Sequence, residues 1–479
     1  MPDLKRDVVA NIAGNVWMTA LAFVALPVQV RILGLEAYGL LGFAASLQAF
    51  IAVLDLGFAP ALARELAVDA SPDRRDSRDL VRTLFAVSWA TAAVVGLSLA
   101  GAAGWLAHDW LRLPGDEAPR ALRWLALSAA LRWPVVLCVG ALTGLQRFPA
   151  MNALSASVAT VRQAGGIGVL VASRSLEAFV VFTAAVSALE LVAFLALARA
   201  FLPAGALRPG FSARALARVW RLALGLNLGF ILSIAVTQAD RLVAGRLLPP
   251  GALGCYMVAS SAAMVLQRFP GLVTTALYPP LAADWSAGDR EALARRYARA
   301  ADLIAAALSL PAAALVFYGH DVLRVWVSQT VADGGAGPLA LLAAGSLLWG
   351  ITGIPWMMAS AAGRPALANI PNLALLAPYL AALWLLTSRH GADGAALAWL
   401  ALNAAYLVTL VPVVHAAVLR TNPLAWLGAR VLPYAALAAL CFGAGRLAAP
   451  AGAAVWAALA AGALLYAAAA GALLRRRMA

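Results

Sequence analysis

Six charged side chains fall inside long apolar stretches of this sequence: Arg132, Arg162 and Arg268 are cationic, and Asp55, Glu190 and Asp240 are anionic. An ionised group at the centre of a membrane-spanning helix costs roughly 2.5–3.5 kcal/mol, so it faces other helices or water and suggests a functional site. Arginine is permanently charged and offers a planar fork of donors, a geometry that recognises phosphate and carboxylate oxygens. Arg132, Arg162 and Arg268 are therefore candidate anion contacts. Arg31, Arg246 and Arg324 stand at segment ends, where reaching out to headgroups explains them, although Arg31 is kept as a further substrate contact. Asp55 lies in Leu54-Asp-Leu-Gly57-Phe-Ala-Pro60, where Gly and Pro can unwind a helix and leave a carboxylate beside loosened backbone to bind a coupling ion or proton. Pairing with Arg64 or Arg162 is the alternative. Asp240 is the second ion-coupling candidate, against a local charge pair with Arg241 at a helix end.

Helical spacing sharpens some of these assignments. Ser155, Ala159, Arg162 and Gly166 recur every three to four residues and form a small, polar face suited to a cavity wall. Arg162 is the strongest single candidate. Near the start of the chain Asn11, Asn15, Met18, Ala22, Ala25 and Gln29 fall on one stripe, and Asn227, Ile234, Gln238 and Arg241 do so later. Asn15, Asn227 and Gln238 are candidate substrate contacts; hydrogen bonding between helices is the competing explanation. The pairs Gly140-x-x-x-Gly144 and Gly225-x-x-x-Gly229 suit close helix packing.

Several chemistries find no support. Lys5 is the one lysine, which removes a phosphate-binding loop of the Walker type, and no Gly-x-Ser-x-Gly or His-Glu-x-x-His motif points to a hydrolase. Cys138, Cys255 and Cys441, like the four histidines, are scattered without ligand spacing. No metal or cofactor is expected. The net charge of +14 is carried by basic residues dispersed between apolar segments rather than interleaved with aromatics, so anionic lipid headgroups, not nucleic acid, are the expected surroundings.

The elements that position these residues follow from composition. With 63% hydrophobic and 12% charged residues, the chain reads as an all-α integral membrane protein. The first apolar stretch is too long, and too punctuated by Asn11, Asn15 and Gln29, for a secretory signal. Spans are expected at roughly 9–32, 38–62, 83–107, 121–145, 151–173, 176–198, 219–239, 251–280, 300–326, 338–361, 366–388, 394–418, 427–448 and 452–474. One side of this arrangement collects 23 of the 36 basic residues and the other ten, with Arg132, Arg162 and Arg268 inside the membrane. Both termini are thus expected in the cytoplasm. Ser77 and Ser286 should lie on that side and Gly335 on the opposite one. The absence of any long loop argues against a membrane glycosyltransferase. Weak internal similarity relates Tyr38 and Gln48 to Tyr256 and Gln267, as in transporters made of two repeats. The expected organisation is two parallel six-helix lobes, 1–200 and 201–420, with two further helices in 421–479.

An ordered set of residues carries a family resemblance. Asn11 to Asn15, Pro27, Leu33-Gly34, Tyr38-Gly39, Leu54-Asp-Leu-Gly-Phe58 and Arg64, then Gln238-Ala-Asp240-Arg241, Gly254-Cys-Tyr256, Tyr278-Pro-Pro280-Leu, Gly288-Asp289 and Tyr297 resemble the polysaccharide and O-antigen flippases. These belong to the multidrug/oligosaccharidyl-lipid/polysaccharide (MOP) exporter superfamily. The resemblance covers about residues 1–300. It implies two six-helix lobes around a central cavity, in a bacterial inner membrane, and an undecaprenyl-pyrophosphate-linked oligosaccharide as substrate. A polysaccharide polymerase and chain-length proteins are the partners it implies. An ion-coupled multidrug or toxin exporter of the same superfamily would favour carboxylates and aromatics instead, and a non-transporting assembly scaffold would pair off its embedded charges.

Overall fold

Apolar all-round segments with few breakers form helices because each backbone donor and acceptor must be satisfied internally once water is excluded. A computed structural model describes the backbone of residues 2–52, 57–68, 75–449, 452 and 454–478. Within these, side chains are described from 17 onward except 75, 76, 218, 221–231, 272, 275 and 478. The described residues contain helices and no strands.

In chain order the helices are α1 (Pro2–Leu33), α2 (Leu35–Ile51), α3 (Phe58–Val68), α4 (Arg75–Trp105), α5 (Glu117–Gly144), α6 (Phe148–Thr160), α7 (Gly166–Ser173) and α8 (Leu176–Phe201). There follow α9 (Ala213–Leu247), α10 (Pro250–Ala287), α11 (Arg290–Trp326), α12 (Gln329–Ala361), α13 (Ala366–Val414), α14 (Pro423–Trp426), α15 (Leu432–Ala448) and α16 (Ala454–Met478). Among the described residues nine helical stretches are long and apolar enough to cross a membrane, and Trp17–Leu33 and Leu35–Ile51 are shorter apolar helices.

Apart from one or two residues at the ends of 121–145 and 452–474, every segment expected from the sequence lies on one continuous helical stretch except the second. The single helix expected at 38–62 is two: α2 ends at Ile51 and α3 starts at Phe58. Gly57 takes φ +77°, open to glycine, and Pro60 fits the first turn of α3, where no amide donor is required. Conversely, the 49 residues of α13 would run about 74 Å as one straight helix, more than twice a ~30 Å hydrocarbon core. Gly391 (φ 59°, ψ −135°) breaks it. A Cβ on Gly394 would collide with the carbonyl of Leu386, eight residues back, so the chain reverses there and α13 comprises two helical segments.

The chain forms two compact units, residues 1–254 and 255–479. In the first, α3, α4, α5, α8 and α9 enclose a core that includes Leu62, Leu66, Leu80, Phe85, Leu142 and Phe194. Gly140 and Gly144 seat α5 against α3. A Cβ on Gly140 would stand 2.6 Å from the Ala59 carbonyl oxygen, and one on Gly144 would strike that of Ala63, so this pair is the close-packing device its spacing suggests. In the second unit Tyr318, Tyr434, Phe442 and Tyr466 join α11, α15 and α16.

Candidate functional site

Three helices of the first unit converge on a single carboxylate. Glu190, buried on α8, accepts a hydrogen bond from Arg162 Nη2 at 2.5 Å and forms an ion pair with Arg132 Nε at 3.1 Å, both at Oε2. The Glu190 side chain is 11% exposed, Arg162 20% and Arg132 48%. Two cations therefore share one anion, and Arg132 is the more exposed of the two.

Local sequence explains how this meeting arises. Ser128 on α5 and Ser187 on α8 hydrogen-bond at 2.7 Å, buried, one turn before Arg132 and Glu190, and so fix the register between the two helices. Arg162 sits in a π-helical turn, Val161–Gly165, that joins α6 to α7. Such a turn inserts an extra residue and re-aims the side chains around it, and it occurs often at functional sites. Gly165 and Gly166 follow at once. A Cβ there would meet the rings of Phe182 at 2.5 Å and Phe179 at 2.9 Å, so both glycines let α8 approach closely, Gly166 from the small face that also carries Ser155, Ala159 and Arg162. That close approach brings Glu190 within reach of Arg162.

The remaining candidates are placed as follows. Arg31 is exposed in the last turn of α1 and Arg268 is exposed on α10. Gln238 is buried on α9 and accepts from Arg241 Nη1 at 3.0 Å. Asp240 is buried on α9, which continues to Leu247. It therefore stands inside the helix and not at its end, because the run after Arg241 stays helical for a further six residues, to Leu247. Asn15 and Asn227 lie on α1 and α9, but their side chains are outside the described ones, and Asp55 is outside the described residues altogether.

The polysaccharide biosynthesis protein family matches residues 4–283. This chain belongs to that family. A putative O-antigen transporter of Shigella flexneri is 23% identical over 407 residues, covering 82% of this chain and 93% of the relative. The lipid II flippase MurJ, in an inward closed conformation, has a similar structure: TM-score 0.76 at 12% identity, over 98% of this chain and 100% of that one. A multidrug resistance MATE transporter of the MOP superfamily in an inward-facing conformation gives 0.67 at 15% identity, over 82% and 93%. At these identities the two solved structures establish the fold, that of MOP-superfamily transporters.

Within this family member, the sequence singled out Arg132, Arg162 and Glu190 separately but not their union. The signal was available in Ser128 and Ser187, which precede Arg132 and Glu190 by four and three residues on apolar helices. A second set was missed. Buried Asp302 on α11 pairs with Arg430 at 2.7 Å and Arg477 at 2.6 Å. Buried Asp321 pairs with Arg446 at 2.7 Å and Arg324 at 3.8 Å. Read by charge count alone, Arg430 and Arg477 were loop cations.

Proposed function

We propose that this protein flips a lipid-linked oligosaccharide, carried on undecaprenyl pyrophosphate, from the cytoplasmic to the periplasmic leaflet of a bacterial inner membrane by alternating access. Both termini lie in the cytoplasm on this reading, and fourteen spans form lobes 1–200 and 201–420 with 421–479 appended. The observation that carries it is the Arg132–Glu190–Arg162 cluster, in which two guanidiniums answer to one carboxylate within apolar helices. A pyrophosphate needs positive charge inside the bilayer, and guanidinium forks supply it with directional hydrogen bonds. A site for cationic drugs needs the opposite balance. Family membership and the flippase-like fold add support. Arg268, Arg31, Asn15, Asn227 and Gln238 are further contacts in this proposal, with Asp55 and Asp240 as ion-coupling groups.

The test is transport of a fluorescent polyprenyl-pyrophosphate oligosaccharide between leaflets of proteoliposomes, with rates normalised to the protein incorporated. Arg162→Lys should keep part of the rate, since the charge remains while the fork is lost, and Arg162→Gln should keep less. Full rate in the exchange Arg162→Glu with Glu190→Arg would make the pair structural and remove it from the substrate path. Extrusion of cationic dyes without lipid movement would favour the multidrug exporter.

A further inference from the structure

The Asp302 cluster of the second unit repeats the two-to-one stoichiometry. Asp302 Oδ2 accepts from Arg430 Nη1 and Oδ1 from Arg477 Nη1, so each carboxylate oxygen is taken by a different helix end. The aspartate side chain is 3% exposed, whereas Arg430 and Arg477 are 34% and 22% exposed. A guanidinium has five N–H donors. Each arginine gives one of these donors, an Nη1 N–H, to Asp302, and Arg477 lies over the Tyr434 ring at 5.5 Å. The carboxylate is thus buried beneath two partly exposed guanidiniums, each with N–H groups beyond the one given to Asp302.

Its depth follows from helix length. The 25 residues of α16 run about 37 Å, beyond a ~30 Å hydrocarbon core. The last turn, with Arg475, Arg476 and Arg477, therefore emerges at the headgroup layer. Basic pockets between transmembrane helices at that level take anionic lipid headgroups. We propose that Arg430 and Arg477, braced by Asp302 between α11, α15 and α16, form a binding site for the phosphate of an anionic phospholipid. In this site the aspartate is the internal anion with which the phosphate shares the two guanidiniums.

Thermal unfolding of the purified full-length protein in mixed micelles tests this, with dioleoylphosphatidylglycerol, dioleoylphosphatidylcholine and inorganic phosphate as separate probes. Phosphatidylglycerol should raise Tm saturably, while phosphatidylcholine and inorganic phosphate at equal concentration should not. Loss of both forks in Arg430→Gln with Arg477→Gln should weaken the phosphatidylglycerol midpoint on the order of tenfold. Should that protein fail to fold, Arg430→Lys should show a smaller shift in the same direction. Asp302→Asn removes the competing anion and should move the midpoint to lower lipid concentration. A purely structural staple predicts no such opposition of sign. Equal responses to the two lipids, an equal response to inorganic phosphate, or a weaker midpoint in Asp302→Asn would each overturn the proposal.

Discussion

At the scale of single residues, the shared carboxylate sets a hierarchy of sensitivities. Glu190→Leu leaves two guanidiniums facing each other with no counter-charge, and breaking a buried pair in this way costs about 3–5 kcal/mol. Arg132→Gln should cost no more than about 1 kcal/mol, because Arg132 is half-exposed and Glu190 retains Arg162. Scanning fluorimetry in detergent should rank the melting temperatures accordingly, with Arg162→Gln between the two. Equal losses in Glu190→Leu and Arg132→Gln would contradict the shared pairing. Residue type and hydropathy were enough to nominate all three members. Their meeting was hidden because three separate helices supply them and a π-helical turn shifts Arg162 from the phase that a regular helix assigns to it.

At the scale of helices, glycine position separates packing from punctuation. Gly140→Ala should destabilise by about 1–3 kcal/mol through forced separation of α3 and α5. Gly101→Ala on α4 meets nothing within 4 Å and should be neutral or stabilising by up to about 1 kcal/mol. Urea-free thermal melts of the two variants check the contrast; similar behaviour would mean that α5 does not rest on α3 at this point. Length and apolarity made nearly all helices legible from the sequence. The failure at 38–62 has a local cause, since Leu54 to Phe58 is apolar enough to continue a span while Gly57 and Pro60 favour a new start. The reversal at Gly391 shows the converse, because the flanking Arg389, His390 and Asp393 mark a polar turn within an otherwise apolar run that the sequence reading divided correctly.

At the scale of the whole molecule, the charge count makes orientation testable, and the structure chooses the reporters. Ser77 is buried and Gly335 packs against Leu323, so neither suits a labelling reagent. Ala204, Ser286 and Thr330 are exposed. Cysteines at Ala204 and Ser286 should react only after the cytoplasmic face is opened, and one at Thr330 should react in intact cells, with Cys441→Ala as background. Labelling of the Ala204 variant by an impermeant reagent in intact cells would reverse the topology. Around Ala204 the expected cytoplasmic loop is held down by cations from other parts of the first unit: Arg82 Nε donates to the Arg208 carbonyl at 3.2 Å, and Arg147 lies over Phe201 at 4.5 Å.

The shared carboxylate also has a consequence for how the protein is made. Synthesis proceeds from the N-terminus, so α5 with Arg132, and α6 with the π-helical turn that carries Arg162, leave the ribosome before Glu190 exists. The glutamate follows Arg162 by 28 residues, a delay of roughly one to six seconds at ~5–20 residues per second. For that interval two arginines, each unfavourable in hydrocarbon by roughly 2.5–3.5 kcal/mol, have no counter-ion. The helices from α5 to α8 are therefore expected to wait beside the insertion machinery and to enter the lipid together. Truncating nascent chains before and after Glu190, and measuring how readily carbonate extracts them, would reveal that cooperative step.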